Sequence, residues 1–170
     1  PIETLIKLSK DKDDYVKKNA IKTLEQKDEE LNIKIDNNKN TSKEVLKNLS
    51  KDEDLDIRES VAKNPNTPKD ILITLSKDKN WYVRKCVALN SNTSINTLIE
   101  LSKDEDIRWR VAKNPNTPIE TLIELSKDED KSVRINVAEN PSTPIDILVA
   151  LSKSKDFYVK YGVTQNPNTP

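Results

Sequence analysis

The sequence predicts an all-α solenoid, about six short helix pairs stacked one upon the next, and three observations carry that reading. One phrase returns along the 170-residue chain: Asn-Pro-Asn-Thr-Pro, a short apolar stretch, Leu-Ser-Lys-Asp, then Val-Arg-x-x-Val-Ala. Self-similarity at a fixed period of about 20–50 residues is the signature of a stacked array. Inside each unit the apolar residues recur three and four apart, the spacing of a helix face and not of a strand. Hydrophobic and charged residues each make up 34% of the chain, so the core must be narrow, as it is in a slim stack.

The register is set by one anchor position, occupied by Pro1, Ser42, Pro68, Ser94, Pro118, Pro144 and Pro170; from Ser42 the spacings are 26, 26, 24, 26 and 26. The repeats are then 42–67, 68–93, 94–117, 118–143 and 144–170, preceded by a longer one over 1–41 with an insertion near 17–31. Together they read as a single repeat array over 1–170. Because Pro1 and Pro170 sit at the same point of the repeat and Met is absent, the chain reads as a segment of a longer array. Its end repeats lack an evident polar cap, which leaves end-to-end association open.

Each unit reads as helix A followed by helix B. Helix A is expected to start with Thr as N-cap and Pro or Ser as its first helical residue. Thr117 with Glu120 and Thr41 with Glu44 form capping boxes, and Thr67 with Asp70 and Thr143 with Asp146 are close versions. Its buried stripe is a pair of leucines three apart, such as Leu72 and Leu75 or Leu122 and Leu125. Helix B carries Val or Ile four apart (Ile57 and Val61, Val83 and Val87, Ile107 and Val111, Val133 and Val137, Val159 and Val163) and ends at Asn, where a left-handed stop is expected. Helices this short are not stable alone. Burial of each such Leu or Val contributes roughly 1.5–3 kcal/mol, enough to hold a stack but not a lone pair.

Two polar columns accompany the frame. Asp52, Asp78, Asp104 and Asp128 follow helix A, and Arg58, Arg84, Arg108 and Arg134 begin helix B. The last unit changes both, to Ser154 and Lys160, which suggests that the columns touch, within a unit or across to its neighbour. An Asp–Arg ladder is the expected architecture, since the arginine fork bonds two acceptors. The competing reading is a basic strip for an anionic partner.

The pattern Pro-x-x-x-Leu-x-x-Leu-Ser-Lys-Asp…Val-Arg-x-x-Val-Ala-x-Asn-Pro-x-Thr-Pro resembles the leucine-rich repeat variant family over nearly the whole chain. Its Val-Arg-x-x-Val-Ala element with the upstream Asp is also similar to HEAT repeats. The resemblance implies a right-handed α-solenoid. In the variant family one layer is 3₁₀-helix; the capped segment Pro118–Ser126 is long enough for α, so α is expected in both layers. The iron–sulfur cluster carried ahead of the repeats in that family's best-known form needs cysteines, and this chain has one, so the resemblance implies architecture alone.

Function must then reside in the surface. Two helix-B columns vary: Glu59, Lys85, Trp109, Ile135 and Tyr161, and Ser60, Cys86, Arg110, Asn136 and Gly162. All seven aromatics (Tyr15, Trp81, Tyr82, Trp109, Phe157, Tyr158 and Tyr161) fall in helix B or at its start. By analogy with HEAT-like arrays helix B lines the concave side. Trp81, Lys85, Trp109, Arg110, Ile135 and Tyr161 are therefore the candidate contacts for a protein or peptide partner. The alternative for Tyr15, Tyr82 and Tyr158 is core packing between repeats. Cys86 reads as a surface or half-buried thiol.

The second function is nucleic-acid binding on a basic, aromatic-lined face, as in the alkylpurine DNA glycosylases built of HEAT-like repeats. Lys+Arg and Asp+Glu are both 29, which argues against strong phosphate binding. Enzymatic activity lacks a foundation: there is no His, one Gly and one Cys, hence no phosphate loop, no metal motif and no nucleophile–base pair. No cofactor is expected. No apolar run is long enough to span a bilayer, and a lone thiol fits a reducing, cytoplasmic setting.

Overall fold

The computed structural model describes residues 41–169, together with Tyr15 and Asn19. The expected first repeat, with its insertion near 17–31, otherwise lies outside the described residues. Among these residues there are ten α-helices and no strand: α1 (Lys43–Leu49), α2 (Leu55–Lys63), α3 (Lys69–Leu75), α4 (Trp81–Leu89), α5 (Ile95–Leu101), α6 (Arg108–Lys113), α7 (Ile119–Leu125), α8 (Lys131–Glu139), α9 (Ile145–Leu151) and α10 (Phe157–Gln165). Odd-numbered helices are the A layer and even-numbered ones the B layer, and both layers are α. From α2 to α8 each B helix packs on the B helix of the next repeat, and each A helix rests on its own B helix and, from α3 onward, on the preceding one.

The apolar columns lie in the interior. Leu72, Leu98, Leu122 and Leu148, with Val83, Val87, Ile107, Val111, Val133, Val137 and Val159, are all 1% exposed or less. An alanine column (Ala62, Ala88, Ala112, Ala138) is fully buried where B helices meet. Gly162 serves the same close approach, because a Cβ there would stand 3.1 Å from the Ala138 Cβ and 3.3 Å from the Ile135 carbonyl.

The helix ends differ from the sequence expectation in two ways. Thr does not cap helix A. The N-cap is the following residue: Ser42 and Ser94 accept from the Val45 and Thr97 N–H groups, while Pro68, Pro118 and Pro144 supply only the extended backbone that precedes a helix. The threonine hydroxyls of Thr67, Thr93, Thr117 and Thr143 instead donate backwards, to the carbonyls of Val61, Val87, Val111 and Val137 at 2.5–2.6 Å. There they are second donors to last-turn carbonyls of helix B that already accept the N–H of the following asparagine, and the threonines lie one residue outside the N-cap place that the expected capping boxes give them.

Nor is the asparagine after helix B left-handed, since no described residue has positive φ. Asn64, Asn90, Asn114, Asn140 and Asn166 are extended and buried. The Asn90 amide donates to Ala62 and Asn64 carbonyls at 2.7 and 2.9 Å, that of Asn140 to Ala112 and Asn114 at 2.6 and 2.9 Å, and that of Asn166 to Ala138 and Asn140 at 2.7 Å each. Asn114 does the same toward Ala88 and Asn90, at 2.7 and 3.4 Å. Each of these side-chain oxygens accepts the N–H two residues on. Burial is affordable here because every polar atom of the amide has a partner.

Asn114→Ala strands the Ala88 carbonyl and takes the acceptor from the Asn116 N–H, and is expected to cost about 3 kcal/mol, at roughly 1–3 per buried orphaned group. Asn116→Ala, which removes only an exposed bond to the Ser91 carbonyl at 2.9 Å, is expected to cost about 0.5 kcal/mol. Urea midpoints at unchanged slope measure both.

Candidate functional site

The N-terminal ends of the B helices carry a ladder that crosses repeats. Arg58 grips both oxygens of Asp78, Nε to Oδ2 at 2.7 Å and Nη2 to Oδ1 at 3.2 Å. Its Nη1 donates to the Asp52 and Glu53 carbonyls of its own repeat, both at 2.9 Å. Arg84 reaches Asp104 at 2.6 Å, with Nη1 on the carbonyls of Asp78 and Lys79. Arg108 reaches Asp128, Nε to Oδ2 at 2.8 Å. The acids also shape their own turns, Asp78 accepting from the Asn80 N–H at 2.9 Å and Asp128 from that of Asp130 at 2.8 Å. Asp52 makes this turn with Asp54, and the residue that would face it from the first repeat lies outside the described residues. Arg134 holds the carbonyls of Asp128 and Glu129 but has Ser154 in place of an acid. The contacting aspartate is thus the one in the following repeat. The paired change at Ser154 and Lys160 belongs to two different junctions and does not mark one contact.

Electrostatics follow burial. The Arg58–Asp78 side chains are 8% and 9% exposed, against 18% and 22% for Arg84–Asp104. Burial pushes the Asp78 carboxyl up, yet the hydrogen bonds from Arg58 and the Asn80 N–H, with the Arg58 charge, outweigh it and hold the group below its usual range. The hydrogen bond to Asp78 in turn raises Arg58.

The B helices carry aromatics in two groups, in which Tyr82 alone is half-buried against the core. On α4, Trp81 and Tyr82 meet edge to face with centroids 5.3 Å apart, and the Lys85 ammonium lies 3.7 Å from the Tyr82 ring centroid. On α10, Phe157 stacks with Tyr161 at 6.3 Å and meets Tyr158 edge-on at 5.6 Å. Trp81, Phe157, Tyr158 and Tyr161 are 46%, 68%, 60% and 52% exposed. A recess of about 200 Å³ beside the first group is lined by Lys63, Tyr82, Lys85, Cys86, Leu89 and Asn90.

The six sequence candidates therefore divide. Trp81 and Tyr161 are open to solvent, and Lys85 is half-buried over the α4 rings. Trp109 and Ile135 are half-buried against the core. The Trp109 indole donates to the Asp106 carbonyl at 3.2 Å, and the Arg110 guanidinium lies 3.5 Å over its ring. The second variable column is not a surface: Ser60, Cys86 and Gly162 are buried, and Arg110 and Asn136 are half-buried. Cys86 is a core thiol, 4% exposed, and not a surface or half-buried one. Tyr15 and Tyr158 are exposed, so the core-packing alternative fails for both, whereas Tyr82 packs half-buried against the core. The sequence candidates omitted Phe157 and Tyr158, whose signal was their place in the first turn of a B helix, matching Trp81 and Tyr82. They also omitted an aliphatic row on the A layer, where Ile95, Ile119 and Ile145 are 55%, 50% and 56% exposed. Among the described residues no group of three or more His, Cys, Asp or Glu is placed to hold a metal ion.

Compared with solved structures, the chain matches a leucine-rich repeat variant described as having a novel repetitive protein structural motif, with a TM-score of 0.59 and 25% identity over 98% of this chain and 61% of that one. The fold is that of a leucine-rich-repeat-variant-like helical array, and the chain spans less than two thirds of that protein's length. A crystal structure of an engineered protein matches with a TM-score of 0.42 and 17% identity, over 96% of this chain and 94% of that one. No family model and no curated protein matches the sequence.

Arg58→Ala leaves the Asp78 carboxylate buried and unpaired and is expected to cost about 3 kcal/mol. Arg84→Ala, at a wetter pair, is expected to cost about 1 kcal/mol. Because the Asp78 carboxyl titrates lower in the folded than in the unfolded chain, its stabilisation is complete above about pH 4 and is lost as pH falls through the lowered value. The stability gap between the chain and Asp78→Asn is therefore expected to shrink below about pH 4, as denaturant unfolding at pH 7 and pH 3 measures.

Proposed function

We propose that the chain is a non-catalytic binding scaffold that takes a protein or peptide along its B-helix face, with Trp81, Tyr82 and Lys85 as one anchor group and Phe157, Tyr158 and Tyr161 as the other. The observation that carries the reading is the exposure of Trp81, Phe157, Tyr158 and Tyr161 on helices whose cores are completed without them. Large rigid rings on a fixed frame bury much area at small entropic cost, which is why Trp and Tyr dominate binding hot spots. The recess beside Tyr82 and Lys85 offers a place for one partner side chain. A repeat-scaffold architecture supports a role exercised through such a surface.

The nucleic-acid reading draws on the same face with fewer cations than the sequence suggested. Arg58, Arg84 and Arg108 are engaged with carboxylates and Arg110 lies on Trp109. Among the described residues no helix is long and apolar enough to cross a membrane. The single thiol, buried at Cys86, fits a cytoplasmic setting.

Peptides selected from a displayed library against the chain are expected to lose at least tenfold in affinity, about 1.4 kcal/mol, on Trp81→Ala or Tyr161→Ala, and to tolerate Ile119→Ser on the A layer. Retained affinity in both aromatic variants removes this face. A fluorescent oligonucleotide is expected to show no salt-dependent binding at low salt, and a steep salt slope would favour the nucleic-acid reading.

A further inference from the structure

Three junctions display what the side-on edge of a ladder arginine holds: at Arg58, Arg84 and Arg108 it is the carboxylate of the next repeat. At Arg58 and Arg84 the opposite arm aims that edge, since Nη1 is tied to two carbonyls of the arginine's own repeat. Arg134 keeps this aiming device, with Nη1 on the Asp128 and Glu129 carbonyls at 2.5 and 2.9 Å. The acid is missing. Ser154 stands in its place, and the Ser154 hydroxyl accepts the Asp156 N–H at 3.2 Å. Serine thus takes over the turn-forming half of the aspartate's work and leaves the charge-pairing half undone. Among the described residues, Nε and Nη2 of the half-buried Arg134 have neither hydrogen-bond nor ion-pair partner.

The charge around this edge has also changed. Residues 153–156 read Lys-Ser-Lys-Asp where 127–130 read Lys-Asp-Glu-Asp, so two acids have become a neutral residue and a base. Lys153, Lys155 and Lys160 are exposed. The one acid of that turn, Asp156, is engaged in capping α10 through the Tyr158 and Val159 N–H groups.

We propose that the α9–α10 turn is an anion-binding site, in which Arg134 receives a carboxylate or phosphate oxyanion side-on, where the other junctions place aspartate. Two oxygens on one centre match the Nε/Nη2 edge, and the flanking lysines raise the local concentration of anions. The site is independent of the B-face aromatics: it rests on a vacancy in a repeated contact, with the occupied copies as its template.

The test follows the Arg134 Nε–H resonance in ¹H–¹⁵N spectra of the full chain, assigned by its disappearance in Arg134→Gln. Sodium acetate and inorganic phosphate are titrated at constant ionic strength held with chloride. A saturable shift is expected with at least one of them, and which one responds separates a carboxylate source from a phosphate source. Ser154→Asp supplies the carboxylate internally, so its resonance is expected to be displaced at the outset and its response at least tenfold weaker, whereas Ser154→Ala keeps the response. No saturable shift with either anion overturns the proposal, and so does an undiminished response in Ser154→Asp. Should Ser154→Asp fail to fold, absence of saturation in the unaltered chain and in Ser154→Ala overturns it alone.

Discussion

The constraint on which the array depends is that stacking buries last-turn carbonyls of the B helices from α2 to α8. A helix of seven or nine residues is too short to stand alone, so it must be covered, and covering it removes water from backbone groups that have no intrahelical partner. The buried asparagine resolves this. Its amide reaches the carbonyls of residues such as Ala62 and Asn64 in the preceding repeat while its oxygen ties down the turn that follows. Hydrogen bonds tolerate little variation in length, so the same bond that satisfies the carbonyls also sets the spacing between repeats.

The Arg–Asp ladder acts at the opposite end of the same helices. From α2 to α8 each B helix is therefore held to the next at both termini, by asparagine at one end and by arginine at the other, with Val, Ile and Ala packed between; α8 and α10 share the asparagine tie alone. This explains which positions vary. A column flanked by fixed contacts need only match the local gap, so Ser60, Cys86 and Gly162 all fit, and glycine appears where Ala138 comes closest. The first-turn positions are less constrained: they hold exposed Lys131 and Ser132 in one repeat and exposed Phe157 and Tyr158 in another, while Leu55 and Tyr82 rest against the core. Architecture and recognition thus draw on different columns of the same helix.

The helices and their buried faces were legible because periodicity reports burial directly: Leu72 with Leu75 and Val83 with Val87 needed only their spacing. The polar columns were legible as columns but not in their partners. Asp six residues before Arg looks like a pair within a unit, and only coordinates place Arg58 against Asp78. The roles of Thr and Asn were misread for a related reason. Both residues are common helix caps, and local rules place them at the nearest helix end, whereas here Thr67 serves the helix behind it and Asn90 serves the repeat before it. Sequence variation likewise does not separate a surface from a packing gap, which is why Arg110 and Cys86 shared a column that proved to be interior or nearly so. Phe157 and Tyr158 could have been found by aligning first-turn positions with Trp81 and Tyr82.

The shortest repeat, 94–117, shows which contacts the array gives up first. Its missing two residues fall before helix B: α6 has six residues, and Ile107 takes the N-cap place without a side-chain acceptor. Arg108 loses the carbonyl contacts that aim Arg58 and Arg84, and its Nε lies 2.8 Å from Asp128 without hydrogen-bond alignment. Helices α4 and α6 also touch less than the other successive B pairs. Yet the Asn114 amide still reaches Ala88, and Trp109 fills the altered space with its indole on the Asp106 carbonyl. Half-buried Trp109 is therefore better understood as repair of a shortened turn than as a free anchor. The junction between α4 and α6 nonetheless keeps both ties, Arg84 on Asp104 and the Asn114 amide on Ala88, and it lies between the two exposed aromatic groups. A partner contacting both groups would span a junction where the helices pack less closely but the polar ties between repeats are kept.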